Sequence, residues 1–555
     1  MARPGAQQAA LFVFLLALLG LAYLPGLGLS HLRHEEPRRA IIARDMIEGS
    51  SLLVPRYEGE VYTAKPPLFN WLIAACGLAR GGVDEVAARL PSVLCLAALV
   101  LLMVGTTERL LLLHGRAFLG LGLLLSPEIV AKTALAEIEL AFALVVTASL
   151  WVWFLAYERG GRGLRLWCAP GLLAGMAFLT KREPGLVFFY LPIAVFLLRR
   201  GRWRDVDLRG VAVGLALPVA VALSWLAVMA REVGTDALWE SLLGEVIRRG
   251  SPSSFVQLSG HVLVYPLAVW MALMPFSIFL LPVFSRGARN ALARHYGGAF
   301  EFALVSVLVS FPVYWLRGDA AVRYFIPMFP FLLLIAAMVF ERYCEGTAEL
   351  SPGFTRAMGI VAGALPAMVL IASVLLALSS SVVLWPQAIK PVLPWTSILP
   401  LAAALAFTGF KVRAAVSAGD RRGLLWGMAA LLIAVRLISV SVALPLNVAR
   451  LSRRENPPAL LSRLRELLPE GQERLLVLGH LHSALWFYAP PGLLEAVEGV
   501  GRDIDLDAIY VFDERATGGL PPTILPHWQE LGRFPYKSSA IVVGRLLTRS
   551  SQDQL

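Results

Sequence analysis

Long apolar runs recur along this chain and constrain its fold more than any other feature. The first covers residues 9–29, and similar runs follow as far as residue 445. An α-helix needs roughly 18 to 25 apolar residues to cross the hydrocarbon core of a bilayer. A transmembrane barrel would instead show short segments of alternating polarity. The sequence therefore predicts a polytopic α-helical membrane protein.

The composition supports this class. Hydrophobic residues make up 57% of the 555 residues and charged residues only 16%, whereas soluble domains carry about 25% charged residues. The net charge of +11 comes largely from arginines in short loops, so we expect contact with anionic membrane lipids and no nucleic-acid partner. The four cysteines show no metal-ligand spacing, which favours packing roles.

The apolar runs and the arginine clusters between them predict about thirteen spans. Thirteen spans would place the two chain ends on opposite sides of the membrane. The predicted spans are 9–29, 88–112, 116–131, 135–157, 167–181, 185–198, 210–230, 262–284, 299–316, 322–340, 357–380, 395–410 and 423–445.

Basic residues in short loops predict the orientation, because such loops stay in the cytoplasm. A cytoplasmic N-terminus places most loop arginines inside and puts the loops 30–87 and 231–261, with the tail, on the outer face. The first run also resembles the apolar core of a signal peptide. Because 24–28 offers no small-x-small cleavage site, we expect a retained span.

The character of the chain changes after residue 450. We predict a membrane domain over 1–450 and a small periplasmic α/β domain over 451–555. The second has a helix-like stretch and three short apolar runs typical of strands, at 459–468, 474–479, 508–512 and 540–544. Four polar residues at predicted strand ends either line a site or are ordinary loop polarity: His480, His482, Asp513 and Glu514.

The first outer loop concentrates ionisable residues at a membrane boundary, where charge usually serves a function. It holds His34-Glu35-Glu36-Pro37-Arg38-Arg39 and Ala64-Lys65-Pro66-Pro67-Leu68. A carboxylate can take a proton from an acceptor hydroxyl, while nearby cations neutralise a phosphate. Alternatively, these acids form ordinary salt bridges in a solvated loop. Residues 68–81, with Phe69, Trp71 and Leu72, predict a short amphipathic helix at the interface.

Several motifs, in their order, resemble a known family. The first four are Glu35-Glu36-Pro37-Arg38, Val54-Pro55-Arg56-Tyr57, Lys65-Pro66-Pro67-Leu68 and Ala87-Ala88-Arg89-Leu90-Pro91-Ser92. Later motifs are Ala136-Glu137-Ile138-Glu139-Leu140, Ala177-Phe178-Leu179-Thr180-Lys181 and Arg323-Tyr324-Phe325-Ile326-Pro327-Met328-Phe329-Pro330. Together they resemble the membrane-embedded GT-C glycosyltransferases, in the branch of the lipid A aminoarabinose transferase and the bacterial relatives of protein O-mannosyltransferases.

The resemblance implies a GT-C-like fold and an inverting sugar transfer. The donor would be a sugar on polyprenyl (undecaprenyl) phosphate, and the acceptor a lipid, glycan or protein at the outer face of the bacterial inner membrane. Glu35 would act as base or acceptor-orienting group, with Glu36 as its alternative and Glu137 as the second acidic position. Lys65 would hold the donor phosphate, helped by Arg323, Arg56 and Lys181; weaker candidates are Arg248, Arg249 and His261. Alternatively, Arg56 and Lys181 are interfacial cations whose charged ends reach toward water.

The departures from the family pattern concern the metal and the acid. Some members carry a carboxylate before the Pro-Pro lysine that contributes to a metal site, and this chain has Ala64 there. We therefore expect no metal and no other cofactor, although the resemblance alone leaves a divalent metal open. Glu35 replaces the usual Asp, and Pro37 and Arg39 stand where small or aromatic residues are common. Either an altered acceptor or a degenerate enzyme would account for these changes.

Two other functions fit a polytopic protein with charges near the membrane. A transporter or flippase would show repeated halves and broken helices near the bilayer midplane, and no internal repeat is evident. A non-catalytic scaffold would not need its acidic and basic residues clustered on one face.

Overall fold

The fold was described from a computed structural model of the chain. It describes residues 4–49, 51–205, 207–250, 255–346, 455–469, 471–497, 508–517 and 525–546, and single positions between 414 and 436. Three predicted spans, 357–380, 395–410 and 423–445, lie outside the described residues apart from those single positions.

The membrane region is a bundle of helices. In chain order they are α1 (Pro4–Tyr23), α2 (Glu36–Glu48), α3 (Leu68–Arg80), α4 (Glu85–Thr106), α5 (Leu113–Leu125), α6 (Pro127–Thr133), α7 (Glu139–Glu158), α8 (Leu164–Lys181), α9 (Glu183–Arg199), α10 (Leu208–Val233), α11 (Thr235–Gly250), α12 (Phe255–Ala272), α13 (Arg286–Tyr296), α14 (Gly298–Trp315) and α15 (Phe329–Cys344). Two 3-10 helices, Phe276–Phe284 and Val322–Met328, precede α13 and α15.

Within the described ranges, six helices are long and apolar enough to cross a membrane. They are α1, α4, α7, α10, α14 and the continuous stretch Val322–Cys344. A helix lies at each predicted span in this part of the chain, but several are short. Helix α5, at the predicted span 116–131, has only 13 residues and would extend about 20 Å. A multi-pass membrane protein is confirmed, whereas the count of thirteen spans is not.

Local sequence explains where the loop helices begin and end. The Asp84 carboxylate accepts a hydrogen bond from the Ala87 N–H at 2.7 Å and caps α4. Helix α2 ends at Gly49, whose φ of 111° suits a residue without a Cβ atom. Helix α3 ends in the same way at Gly81. These caps divide the predicted loop 30–87 into helical segments.

Helix α3 confirms the predicted helix over 68–81, but not its orientation. Phe69 is only 1% exposed and packs in the core, so the prediction that it faces the interface is wrong. Trp71 stays partly exposed, and its indole N–H donates to the Leu52 carbonyl. A periodicity of 3.6 residues identifies an apolar face, but tertiary packing decides what covers it.

The end of the chain forms a C-terminal sheet region, residues 455–546. Its sheet has the strand order β4-β3-β5-β7-β6, where β3 (Leu475–Val477), β4 (Leu494–Ala496) and β5 (Ile509–Asp513) are parallel and β6 (Trp528–Tyr536) and β7 (Ser539–Leu546) are antiparallel. Two of its helices are α16 (Pro457–Glu466) and α17 (Ser483–Tyr488). The predicted helix and three strands are confirmed. Strands β4 and β6 were missed, because β4 is short and a bulge at Glu530–Gly532 interrupts β6.

The C-terminal sheet region packs on the first loop. A short hairpin, β1 (Arg56–Tyr57) and β2 (Glu60–Val61), lies between α2 and α3. The Tyr57 hydroxyl donates a hydrogen bond to Ser483 Oγ at 2.8 Å. The first loop and the C-terminal sheet region therefore meet at one end of the helix bundle.

Candidate active site

A cavity of about 670 Å³ opens where the first loop meets the start of α7, the end of α8 and the segment that joins α14 to α15. Its walls are rich in ionisable and aromatic side chains. They are His34, Glu35, Arg38, Arg39, Tyr62, Ala64, Lys65, Lys132, Leu135, Glu137, Ile138, Glu139, Lys181, Pro184, Tyr314, Arg317, Arg323 and Tyr324. Residues almost 300 positions apart in the chain thus share one site.

Five of the seven predicted site residues line this cavity. They are Glu35, Glu137, Lys65, Lys181 and Arg323. Glu36 and Arg56 do not line it.

Glu35 lies immediately before the first residue of α2. Its Oε2 accepts a hydrogen bond from Arg38 Nη1 at 2.9 Å, and its side chain is 54% exposed. The Arg38 guanidinium also lies over the ring of Tyr57, 5.4 Å from its centroid. This carboxylate is therefore oriented by one cation yet remains accessible to a substrate.

Glu36 has different surroundings. Its side chain is 1% exposed, and both oxygens accept hydrogen bonds from the buried guanidinium of Arg89, at 2.7 and 3.0 Å. Arg89 also donates to the carbonyls of Leu27, Ser30 and His31. The pair therefore holds the path of the loop, and Glu36 is buried against Arg89 away from the cavity wall.

A second carboxylate, Glu139, lies at the inner wall of the cavity. Its Oε1 is 3.4 Å from Lys181 Nζ and 3.8 Å from Arg323 Nε. Lys181 also lies over the ring of Tyr324, 4.4 Å from its centroid. The sequence analysis quoted Glu139 within its motif but assigned the acidic role to Glu137. The residue that organises these two cations was thus missed.

Glu137 lines the cavity through a separate ion pair. Its Oε2 is 2.7 Å from Nζ of Lys132, a residue of α6 that the sequence analysis did not name. Each side chain in this pair is about one-eighth exposed. The only sequence signal for Lys132 was its place five residues before Glu137.

Lys65 is partly buried and lines the cavity beside Ala64 and Tyr62. Arg317 enters from the other side, where Asp319 accepts hydrogen bonds from it at 2.6 and 2.7 Å. These bonds lower the pKa of Asp319 from its usual value, so Arg317 carries a neutralising partner.

The other candidates lie elsewhere. Arg56 Nη2 pairs with Glu232 at 2.9 Å, and Arg56 is not part of the cavity wall. His261 Nε2 is 3.2 Å from the Tyr314 carbonyl. The side chains of Arg248 and Arg249 lie outside the described part of the chain.

The tail candidates take part in local structure. Asp513 accepts a hydrogen bond from Ser539 Oγ at 2.6 Å, and Glu514 accepts one from Arg533 at 2.7 Å. His482 Nδ1 accepts the N–H of Ala484 and thereby caps α17. His480 contributes its carbonyl, which accepts the N–H of Asp513.

The cavity carries more positive than negative charge. Seven lysines and arginines line it, against three glutamates. Within the ranges that the structure describes, no cluster of three or more His, Cys, Asp or Glu side chains is arranged to hold a metal ion. Ala64 brings no ligand atom to the cavity. This charge balance suits an anionic substrate.

Known proteins resemble this chain in sequence and fold. Residues 64–227 match a family model described as dolichyl-phosphate-mannose-protein mannosyltransferase. A crystal structure of ArnT from Cupriavidus metallidurans in the apo state matches 96% of this chain and 97% of its own, with a TM-score of 0.67 at 18% identity. The resemblance to the GT-C glycosyltransferases is confirmed. The fold of the chain is that of ArnT, and residues 64–227 match the mannosyltransferase family model.

Curated relatives match part of this chain. An undecaprenyl phosphate-alpha-4-amino-4-deoxy-L-arabinose arabinosyl transferase of Pseudomonas paraeruginosa is 34% identical over 206 residues, 36% of each chain. A second, from Pseudomonas fluorescens, is 32% identical over 218 residues, 38% of this chain and 39% of its own. The matches thus span well under half the length of these relatives.

Proposed function

We propose that this protein transfers a sugar from a polyprenyl phosphate donor to a lipid, glycan or protein acceptor, with inversion at the anomeric carbon. The observation that carries the proposal is the cavity itself. An accessible carboxylate, Glu35, faces several cations at the end of a membrane-helix bundle. A lipid-borne phosphate would lie at this depth, with its isoprenoid chain among the apolar helices.

The cations would stabilise the leaving group. Negative charge develops on the phosphate as its bond to the sugar breaks, and positioned cations are an effective means of stabilising it. Lys65 enters the cavity from the loop, while Lys181 and Arg323 enter from the helix bundle, held by Glu139. A phosphate between them would be bound from two sides.

Glu35 would serve as the base. The acceptor oxygen attacks the anomeric carbon from the face opposite the phosphate, and its proton passes to the Glu35 carboxylate. The carbon–oxygen bond to the phosphate breaks, and polyprenyl phosphate leaves with the electron pair. Arg38, 2.9 Å away, orients the carboxylate without enclosing it.

The similar proteins support the choice of donor. The relatives are named as transferases for an undecaprenyl phosphate-linked sugar, and a second ArnT structure is described as bound to undecaprenyl phosphate. We extend this donor class to the present chain. With a cytoplasmic N-terminus, the cavity and the C-terminal sheet region would face the periplasm from the inner membrane.

The test is a transfer assay with purified protein, an undecaprenyl phosphate-linked sugar and a membrane extract as the source of acceptor. Mass spectrometry measures the release of undecaprenyl phosphate and the glycosylated product. We expect Glu35→Gln to lower kcat about 100-fold or more, because a general base contributes roughly that factor. Lys65→Met should raise the donor KM and lower kcat.

Matched controls come from ion pairs on the same side of the bundle but outside the cavity. Glu232→Gln and Arg80→Met should retain wild-type rates. Undiminished transfer by Glu35→Gln would remove the base assignment, and a larger loss in Glu137→Gln would move that role to Glu137. Movement of the donor across vesicles without any transfer would favour the transporter alternative.

A further inference from the structure

Arg39 is a buried cation of the cavity to which the proposed reaction has so far given no role. It lies on α2 one turn after Glu35, and its backbone N–H donates to the Glu35 carbonyl. The residue is only 4% exposed, yet it is part of the cavity wall. Its Nη1 has no hydrogen-bond partner within the described ranges. The guanidinium lies over the ring of Tyr62, 5.6 Å from its centroid.

The carboxylates of the cavity are all engaged by other cations. Glu35 binds Arg38, and Glu137 binds Lys132. Glu139 lies between Lys181 and Arg323.

Glu36, next to Arg39 on the helix, is held by Arg89 with both oxygens. Within the described residues, none of these carboxylates has a recorded ion pair with Arg39. A buried guanidinium with an unused N–H is unfavourable by itself, because water is removed and no anion replaces it. Such a group is stabilised when a ligand supplies the missing acceptor.

We propose that Arg39 is an oxyanion-binding residue of this cavity, and that its ligand is a phosphate or carboxylate oxygen of a substrate. The inference rests on the proposed function and adds a binding group to it. A guanidinium presents parallel N–H donors that match two oxygens of one such group. The ring of Tyr62 lies against one face of the Arg39 guanidinium, so the guanidinium plane is held in place before the substrate arrives.

The anion has two possible sources in the proposed reaction, the donor phosphate or an anionic group on the acceptor. Arg39 is linked to the proposed site of each source. Its backbone follows Glu35, the proposed base for the acceptor, whereas Tyr62 belongs to the segment that leads to Lys65. A donor phosphate and an acceptor anion would give different kinetic effects when Arg39 is replaced, so an experiment can distinguish the two ligands.

The first measurement uses thermal unfolding without substrate. Arg39→Met should unfold at the wild-type temperature or higher, because it replaces a cation lacking one partner with an apolar side chain of similar length. A residue that merely held the loop together would show the reverse. A clear drop in unfolding temperature without substrate would therefore overturn the proposal.

The second measurement uses undecaprenyl phosphate as the probe, in nanodiscs of zwitterionic lipid. If the donor phosphate is the ligand, Arg39→Met weakens its binding at least tenfold and Arg39→Lys restores part of it. If the acceptor supplies the anion, probe binding is unchanged but the KM for the acceptor extract rises at least tenfold. Wild-type values in all these measurements would overturn the proposal.

Arg80→Met is the control, because Arg80 is an exposed partner of Asp84 away from the cavity. It should leave binding and kinetics unchanged. Loss of the proposed function is recognisable separately. If wild-type protein binds undecaprenyl phosphate through Arg39 but transfers no sugar, the transferase proposal falls and the oxyanion site remains.

Discussion

The hydroxyl of Tyr488 donates a hydrogen bond to Glu85 Oε1 across 2.7 Å, joining the C-terminal sheet region to the start of α4. The same hydroxyl accepts the backbone N–H of Leu32 at 2.9 Å, and the ring meets His31 edge to face. Arg44, on α2, donates to the Phe487 carbonyl at 3.0 Å. The C-terminal sheet region thus holds Leu32 and Arg44, which lie on either side of Glu35 in the sequence.

Removing this hydroxyl should loosen the segment selectively. In Tyr488→Phe the ring contacts remain, but the Leu32 N–H and Glu85 lose their partner. We expect backbone amides of 31–36 to exchange hydrogen about fivefold faster, since a buried hydrogen bond contributes about 1 kcal/mol. Mass spectrometry of exchanged peptides measures this. Arg474→Gln, an exposed change in the same sheet region, is the control. Equal exchange rates in the two variants would contradict the role of Tyr488.

The Arg89–Glu36 pair should be essential for stability. Arg89→Met leaves the Glu36 carboxylate buried beside Ala136, whose N–H still donates to it at 2.8 Å, and frees three loop carbonyls. Breaking a buried ion pair costs about 3 to 5 kcal/mol, so the unfolding temperature should fall by several degrees.

The double variant Arg89→Met with Glu36→Gln should recover part of that loss, because no charge is then left unpaired. If the single and double variants are equally stable, Glu36 does not depend on Arg89 for its charge.

Glu139 should matter more than its neighbour Glu137 for the arrangement of the cations. Glu139→Gln keeps the shape but removes the charge that holds Lys181 and Arg323. We expect transfer to fall about 10- to 100-fold, the range reported for small misplacements of catalytic groups. Steady-state kinetics beside Glu232→Gln measure this. A smaller effect for Glu139→Gln than for Glu137→Gln would reverse the two assignments.

Protonation of His482 should weaken the C-terminal sheet region in acid. Burial is the main reason that the pKa of His482 is lowered to about 4, and Lys537 Nζ, 2.7 Å from Nε2, adds to it. An unfolded histidine has a pKa near 6.5. The unfolded state therefore binds more protons between pH 6.5 and about 4, and stability declines as the pH falls through this window.

Linkage sets the upper limit at about 3 kcal/mol. Thermal unfolding of wild type and His482→Asn across pH 4 to 8 measures it, because asparagine can still cap α17 but does not titrate. If both proteins lose the same stability on acidification, other groups account for the pH dependence.

Neighbouring acids show how far the sequence could lead. Glu35 and Glu36 are adjacent, Glu137 and Glu139 are two residues apart, and the family resemblance favoured Glu35 and Glu137. Glu36 is the first residue of α2, directly after Glu35, and successive residues there point about 100° apart, whereas Glu137 precedes α7 and Glu139 begins it. Glu35 faces the cavity while Glu36 faces Arg89, and this depends on how α2 packs against α4.

The amino-acid sequence alone determined the membrane class, the loop rich in ionisable residues and the family resemblance, because span length, charge placement and motif order are local properties. It also predicted most elements of the C-terminal sheet region. Only the tertiary structure decided which charges meet. Arg56 forms an ion pair with Glu232, and Glu139 forms ion pairs with Lys181 and Arg323. Arg39 is buried, and its Nη1 has no hydrogen-bond partner within the described residues. Ion pairs between distant segments form through packing, which sequence spacing does not encode.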